Sequence, residues 1–125
     1  MIDLKAQRHV ADISRHQAKV RGGETALSFE GRDTSYAALD ARASQVANGL
    51  LQAGAQRQDR IAYLGKNTDR YYEMLFGAVK ARMAMTGINN RLAPPEIEYI
   101  LNDSAASVLF VTSDFVGIVE QIKDQ

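Results

Sequence analysis

Three short apolar runs divide this chain: Arg60-Ile61-Ala62-Tyr63-Leu64, Ala84 to Ile88, and Ser107-Val108-Leu109-Phe110-Val111. The stretches between them have helical periodicity. Strands that alternate with helices need a crossover for each return, and such crossovers are right-handed and leave the strands parallel. Ahead of the first strand, Leu39, Ala43, Val46, Ala47, Leu50 and Leu51 recur on one face of a helix. Ser35 is placed to cap it, and Gly54 suits the left-handed position that closes it. Asn67 or Thr68 caps the next helix, whose apolar face is Tyr71, Met74, Leu75, Ala78 and Val79. Pro94 and Pro95 open a third, because proline lacks an N–H that would have no partner there anyway. Ile97, Ile100 and Leu101 face inward from it, and Asn102 ends it. Ser113 caps a last helix carrying Phe115, Val116, Val119 and Ile122.

Upstream, Leu4, Val10, Ile13 and Val20 are loosely helical, with Ala6 and Ala11 between them, and Gly22-Gly23 stops that segment. Ala26 to Phe29 alternates as a strand does, Glu30-Gly31-Arg32-Asp33 reads as a turn, and Thr34 to Tyr36 begins the return of a β-hairpin. The expected fold is α/β: a mostly parallel sheet flanked by helices, with an N-terminal β-hairpin. Residues 1–125 form a single α/β unit without repeats or internal linkers.

Charge removes several functional classes. Lys plus Arg and Asp plus Glu are both 15, so no basic stripe favours nucleic acid and no acidic block favours a tail. The absence of cysteine excludes disulfides, thiolate metal sites and a cysteine nucleophile. The first twenty residues carry charges throughout and lack the apolar core of a signal peptide. No apolar run approaches the roughly 20 residues that span a bilayer. A cytoplasmic protein is expected.

Catalytic motifs fail in turn. Gly65-Lys66 resembles the end of a phosphate loop, but position 60 is Arg60 rather than glycine, and Asn67 stands where Ser or Thr would hold magnesium. No G-x-G-x-x-G and no Gly-x-Ser-x-Gly occurs. His9 and His16 have no further ligands at short range, so surface or capping roles are expected and no metal site. Glu96 and Glu98 diverge around a helix and read as favourable charge in its first turn. Tyr71, Tyr72 and Phe76 read as core and core-edge packing. Arg91 stands out, in a loop between a strand end and a proline-led helix, where a guanidinium reaches a phosphate or pairs with Glu96.

From about Glu24 to Val111 the ordered pieces resemble acyl-CoA synthetases, the AMP-dependent synthetases and ligases of the adenylate-forming superfamily. The pieces are Glu30-Gly31-Arg32-Asp33-Thr34-Ser35-Tyr36, Leu39-Asp40-Ala41-Arg42-Ala43-Ser44, Asp59 to Asn67, Glu73 to Ala81, Asn89-x-Arg91-Leu92-Ala93-Pro94-Pro95-Glu96 and Tyr99 to Ser104. Three departures stand against the family's pattern: Arg82-Met83 where Gly-Ala is common, Gly87 where a proline is common, and Ala38 where a Glu often completes a capping box. The resemblance implies part of the N-terminal domain of an adenylate-forming enzyme, a truncated subdomain of a larger ligase. It implies a two-step reaction in which a carboxylic acid and ATP give an acyl-adenylate, and CoA then takes the acyl group. ATP, magnesium and CoA are implied for the parent enzyme. The ATP loop, the acidic residues and a mobile lysine would lie beyond Gln125. No catalytic residue falls in this chain, which is expected to be inactive alone. Arg91 is the one implied contact, to a CoA phosphate. The alternative is a free-standing α/β binding module that pairs as a homodimer through an uncovered sheet edge or face. A flavodoxin-like nucleotide domain is a weaker third reading, without a phosphate loop to support it.

Overall fold

The computed structural model describes residues 7–123. Helix α1 spans Val10–Arg21, and strands β1 (Thr25–Phe29) and β2 (Arg32–Ser35) form an antiparallel hairpin. The hairpin turn is shorter than expected. Only Glu30 (φ +50°) and Gly31 (φ +75°) form it, and Arg32 and Asp33 already pair in β2. Positive φ at both central residues gives the backbone twist that matches paired strands, so a two-residue turn suffices.

There follow α2 (Tyr36–Gln52), β3 (Arg60–Leu64), α3 (Asp69–Lys80), β4 (Ala84–Ile88), α4 (Pro94–Ser104) and β5 (Ala106–Val111). A short 3-10 turn (Ser113–Phe115) leads into α5 (Val116–Ile122). β3 lies centrally, parallel to β4 on one side and to β5 on the other. The expected parallel sheet and separate hairpin are both present.

Strand periodicity distributes β3 between two cores. Ile61 joins Ala47 and Leu50 of α2 and Ala78 of α3, while Ala62 and Leu64 join Ile97 of α4 and Ile122 of α5. Helices therefore cover both faces, α2 and α3 on one and α4 and α5 on the other. Ile61, Leu64 and Ile97 are fully buried, and each contributes about 1.5–3 kcal/mol of transfer free energy.

Ser35 caps α2 as expected, its hydroxyl accepting the Ala38 N–H at 3.2 Å. At the other end the N–H of Ala55 reaches the Leu50 carbonyl and that of Gly54 reaches Leu51, with Gly54 at φ +91°. These are the paired bonds of a Schellman cap. α4 runs two residues past Asn102, because Ala105 takes the left-handed conformation (φ +49°) that ends it. Ser113 begins the 3-10 turn and caps no helix by its side chain; the residue before that turn is Thr112.

Two apolar assignments change. In α1, Val10, Ile13 and Val20 are exposed, and the buried residue is Ser14, whose hydroxyl donates to Asp40 at 2.8 Å. Leu4 and Ala6 lie outside the described residues. In α3 the buried residues are Asp69, Glu73, Gly77 and the expected Ala78, whereas Tyr71, Met74, Leu75 and Val79 are only half-buried. Charge pairing makes this possible. Arg32 of the hairpin grips Asp69 with two bonds of 2.9 and 3.0 Å. Arg42 of α2 donates to Glu73 at 3.0 Å, joined by Arg70. Lys80 donates to Asp40 and Ser44 of α2. A buried carboxylate is costly alone and tolerable when paired and hydrogen-bonded.

Candidate functional site

β3 leads into α3 on one face of the sheet, and β4 leads into α4 on the other. Neighbouring strands whose chains diverge to opposite faces leave a crevice at their carboxyl ends, where ligands of open α/β sheets bind. The structure has such a crevice. It consists of two adjoining hollows of about 420 and 450 Å³ that share Gly65, Asn67, Ile88 and Asn89.

One end is aromatic. The Tyr63 ring meets Tyr71 edge-on at 5.0 Å, and Tyr71 meets Tyr72 at 5.6 Å. Tyr63 pairs in register with Gly87, which offers no side chain beside it, so the hollow opens there. The Tyr63 hydroxyl donates to the Lys66 carbonyl at 3.1 Å and holds the turn that follows β3. Gly65 is the residue that fits at that turn, because a β-carbon on it would fall 2.6 Å from Cγ2 of Thr112.

The other end is cationic and carries Lys66 and Arg91. The loop after β4 is set by its own amides: Asn90 donates to the Gly65 carbonyl at 2.8 Å, and Asn89 accepts the Arg91 N–H at 3.0 Å. The Arg91 side chain is exposed and has no carboxylate partner among the described residues. Glu96 does not pair with it. Its carboxylate turns back to accept the Ala93 N–H at 2.8 Å, which stabilises the start of α4. Lys66 is tied to Asp114 at 3.1 Å, with both groups exposed.

Arg91 thus stands where the sequence places it, beside residues that sequence reasoning did not select: Asn67, Asn89 and the Tyr63–Tyr72 wall. Tyr72 is 44% exposed and forms the lip of the crevice rather than core. Their signal is positional, each lying within three residues of a parallel strand end or on the helix turn above it. His9 precedes α1 and His16 sits within it, and neither lines the crevice. Among the described residues no group of three or more His, Asp or Glu side chains converges on a metal-sized point. No described helix is long and apolar enough to cross a membrane. Asp69, just behind the lip, is a perturbed carboxyl. Hydrogen bonds from Arg32 pull it below the usual carboxylate range, against the opposing effect of burial, and Asp69 raises Arg32 in return.

A family model described as AMP-binding enzyme matches residues 14–125. A feruloyl-CoA synthase from an Amycolatopsis species is 42% identical over 109 residues, which is 87% of this chain and 21% of that protein. An indoleacetate–CoA ligase from Aromatoleum aromaticum is 36% identical over 112 residues, 90% of this chain and 22% of that protein. Among solved structures, the anthranilate CoA ligase AuaEII in complex with anthranoyl-AMP superimposes with a TM-score of 0.91 at 33% identity, covering 98% of this chain and 24% of that one. The N-terminal domain of FACL13 from Mycobacterium tuberculosis, with inhibitor bound, gives 0.90 at 28% identity, covering 94% and 30%. The chain spans about a fifth of the length of the curated relatives it matches.

Proposed function

The chain belongs to the AMP-binding enzyme family, and from that premise we propose that residues 1–125 are one α/β unit, the N-terminal subdomain of an ATP-dependent acyl-CoA synthetase. The observation that carries this reading is the match over residues 14–125 together with relatives that are CoA ligases over several times this length. In the whole enzyme a carboxylate oxygen attacks the α-phosphorus of ATP and pyrophosphate leaves. The CoA thiol then attacks the acyl carbonyl and AMP leaves with the electron pair of the broken C–O bond. Magnesium, when bound, offsets charge on the phosphates. Its ligands and those of ATP come from residues outside this chain, and the enzyme works in the cytoplasm.

The part played by this chain's own residues is to bind and orient. The Arg91 guanidinium offers two parallel donors that match a phosphate. Its backbone is fixed by Asn89, so only the side chain is left to order on contact. Arg91 is accordingly the CoA-phosphate contact of this reading.

Two assays test this. ATP–pyrophosphate exchange by the 125-residue chain, offered a panel of aryl and alkyl carboxylic acids, should stay at background, and clear turnover would overturn the scaffold reading. In the whole enzyme, Arg91→Ala should raise KM for CoA roughly tenfold or more, the worth of one charged hydrogen-bonded contact. KM for ATP should not change. An unaltered KM for CoA would remove Arg91 from the CoA site.

A further inference from the structure

The opposite end of the sheet holds a second feature. Where α3 turns into β4, the N–H of Met83 reaches the Ala78 carbonyl at 2.9 Å and that of Arg82 reaches Val79 at 3.0 Å. These bonds repeat the Schellman cap seen at the end of α2. There the left-handed position belongs to Gly54; here it belongs to Arg82, at φ +59°. Its neighbour across the turn, Gln58, is also left-handed at φ +74° and donates its N–H to the Arg82 carbonyl at 2.8 Å. A long side chain gains nothing for the cap at a position that suits glycine. Strain of this kind persists where the surroundings over-determine it, and it gathers at ligand sites.

Arg82 lines a cleft of about 450 Å³ at the amino ends of β3 and β4, far from the crevice that holds Arg91. Val10, 56% exposed, and half-buried Val79 supply its apolar lining, and Arg15 and Arg57 share it. Asp12 is the carboxylate that lines it, and it is already engaged by Arg15 at 3.2 Å and by the N–H groups of Arg8 and His9. Lys80 turns away to Asp40. Neither Arg57 nor Arg82 has a carboxylate partner among the described residues. The cleft therefore carries a net positive charge beside an apolar surface.

We propose that this cleft binds an organic phosphate: the Arg57 and Arg82 guanidinium groups grip the phosphate, and the apolar portion rests against Val10 and Val79. Guanidinium forks match phosphate oxygens two by two, and two unpaired ones at one cleft favour a dianion over a carboxylate. The apolar lining sets the site apart from a bare anion patch, so an organic phosphate binds more tightly than inorganic phosphate. The site is independent of the CoA contact at Arg91.

Phenyl phosphate is a suitable probe, titrated into the protein while arginine side-chain resonances are followed by NMR, with inorganic phosphate and phenol as comparisons. Arg57 and Arg82 should shift, Arg91 should not, and added salt should weaken binding. Arg82→Gly relieves the strained turn, so it should raise Tm while weakening phenyl phosphate roughly tenfold. Arg57→Gln should weaken binding similarly at unchanged Tm. Undiminished affinity in Arg82→Gly, shifts confined to Arg91, or no shift at tens of millimolar would each overturn the proposal. A variant that gains stability and keeps its fold leaves no room to blame unfolding.

Discussion

Gly77→Ala sets two physical effects against each other at one atom. Alanine in a helix interior is favoured over glycine by about 1 kcal/mol. Gly77, however, is buried where α3 meets α2, and a β-carbon there would fall 2.4 Å from Cγ1 of Val46, 2.5 Å from its Cβ and 3.0 Å from the Ala43 carbonyl oxygen. Carbon atoms rest about 3.5–4.0 Å apart, so the helices must separate by roughly 1 Å. Overpacking of this kind costs about 1–3 kcal/mol. The same displacement loosens the bonds from Arg42 to Glu73 and from Lys80 to Asp40, which lie one turn to either side. Charge-assisted bonds are worth about 1.5–3 kcal/mol each, and part of that is lost. The unfavourable terms win, for a net destabilisation of about 1–3 kcal/mol by the same magnitudes. Urea unfolding followed by circular dichroism measures it. Gly49→Ala is the matched control, since Gly49 lies exposed in α2 and a β-carbon there meets nothing within 4 Å. That change should stabilise by about 0.5–1 kcal/mol. If Gly77→Ala also moved the midpoint upward, the close approach of α2 and α3 would be refuted.

Gly54→Ala should cost about 1–2 kcal/mol, because the left-handed conformation at the end of α2 crowds a β-carbon; a midpoint equal to wild type would show that the Schellman cap does not form. Acid unfolding should depend on Asp69. Its folded pKa lies below the ordinary carboxylate value of about 3.9, so its pairing adds stability above that value and loses it as pH falls through the depressed folded value. Arg32→Met should flatten that acid limb and leave the neutral-to-alkaline slope alone, and a pH titration of thermal unfolding that keeps the wild-type limb would count against the Arg32–Asp69 pair.

The legible parts of this fold are those where a single rule governs. β3 and β4 fall at the boundaries the apolar runs predict; in central β3, Ile61 to Leu64 are buried on both faces, so the strand reads as a continuous apolar run, while edge strand β4 buries only Ile88. The α2 face follows its periodicity except at Leu51, which is 52% exposed past the end of the packed stripe. α3 keeps Ala78 of its expected face and departs at the other positions for a definite reason. Reading apolar residues as the inward face misses a helix whose buried row is Asp69, Glu73 and Gly77, since the cations that neutralise it lie on β2 and α2. Periodicity within one segment cannot reveal a partner 31 or 37 residues away. α1 shows the converse, with a valine–isoleucine stripe in solvent and a serine inside. At the crevice, Arg91 stands out in the sequence because it lies in a loop between a strand end and a proline-led helix. Tyr72 and Asn67 were not, because their importance comes from the divergence of β3 and β4, a property of topology.

The charged row between α2 and α3 acts as an index mark along the helix axes. Two apolar helices slide past one another at modest energetic cost, since one leucine contact resembles the next. Here a slip of one turn would set Arg42 against Gly77 and leave Glu73 buried beside no cation of α2. Only one axial setting satisfies Asp69, Glu73 and Lys80 together. Asn67 and Tyr72 sit just before and within the first turn of that helix. The depth of the crevice beneath them is therefore gauged by ion pairs on the far side of α3, and variation there would retune the crevice without touching its lining.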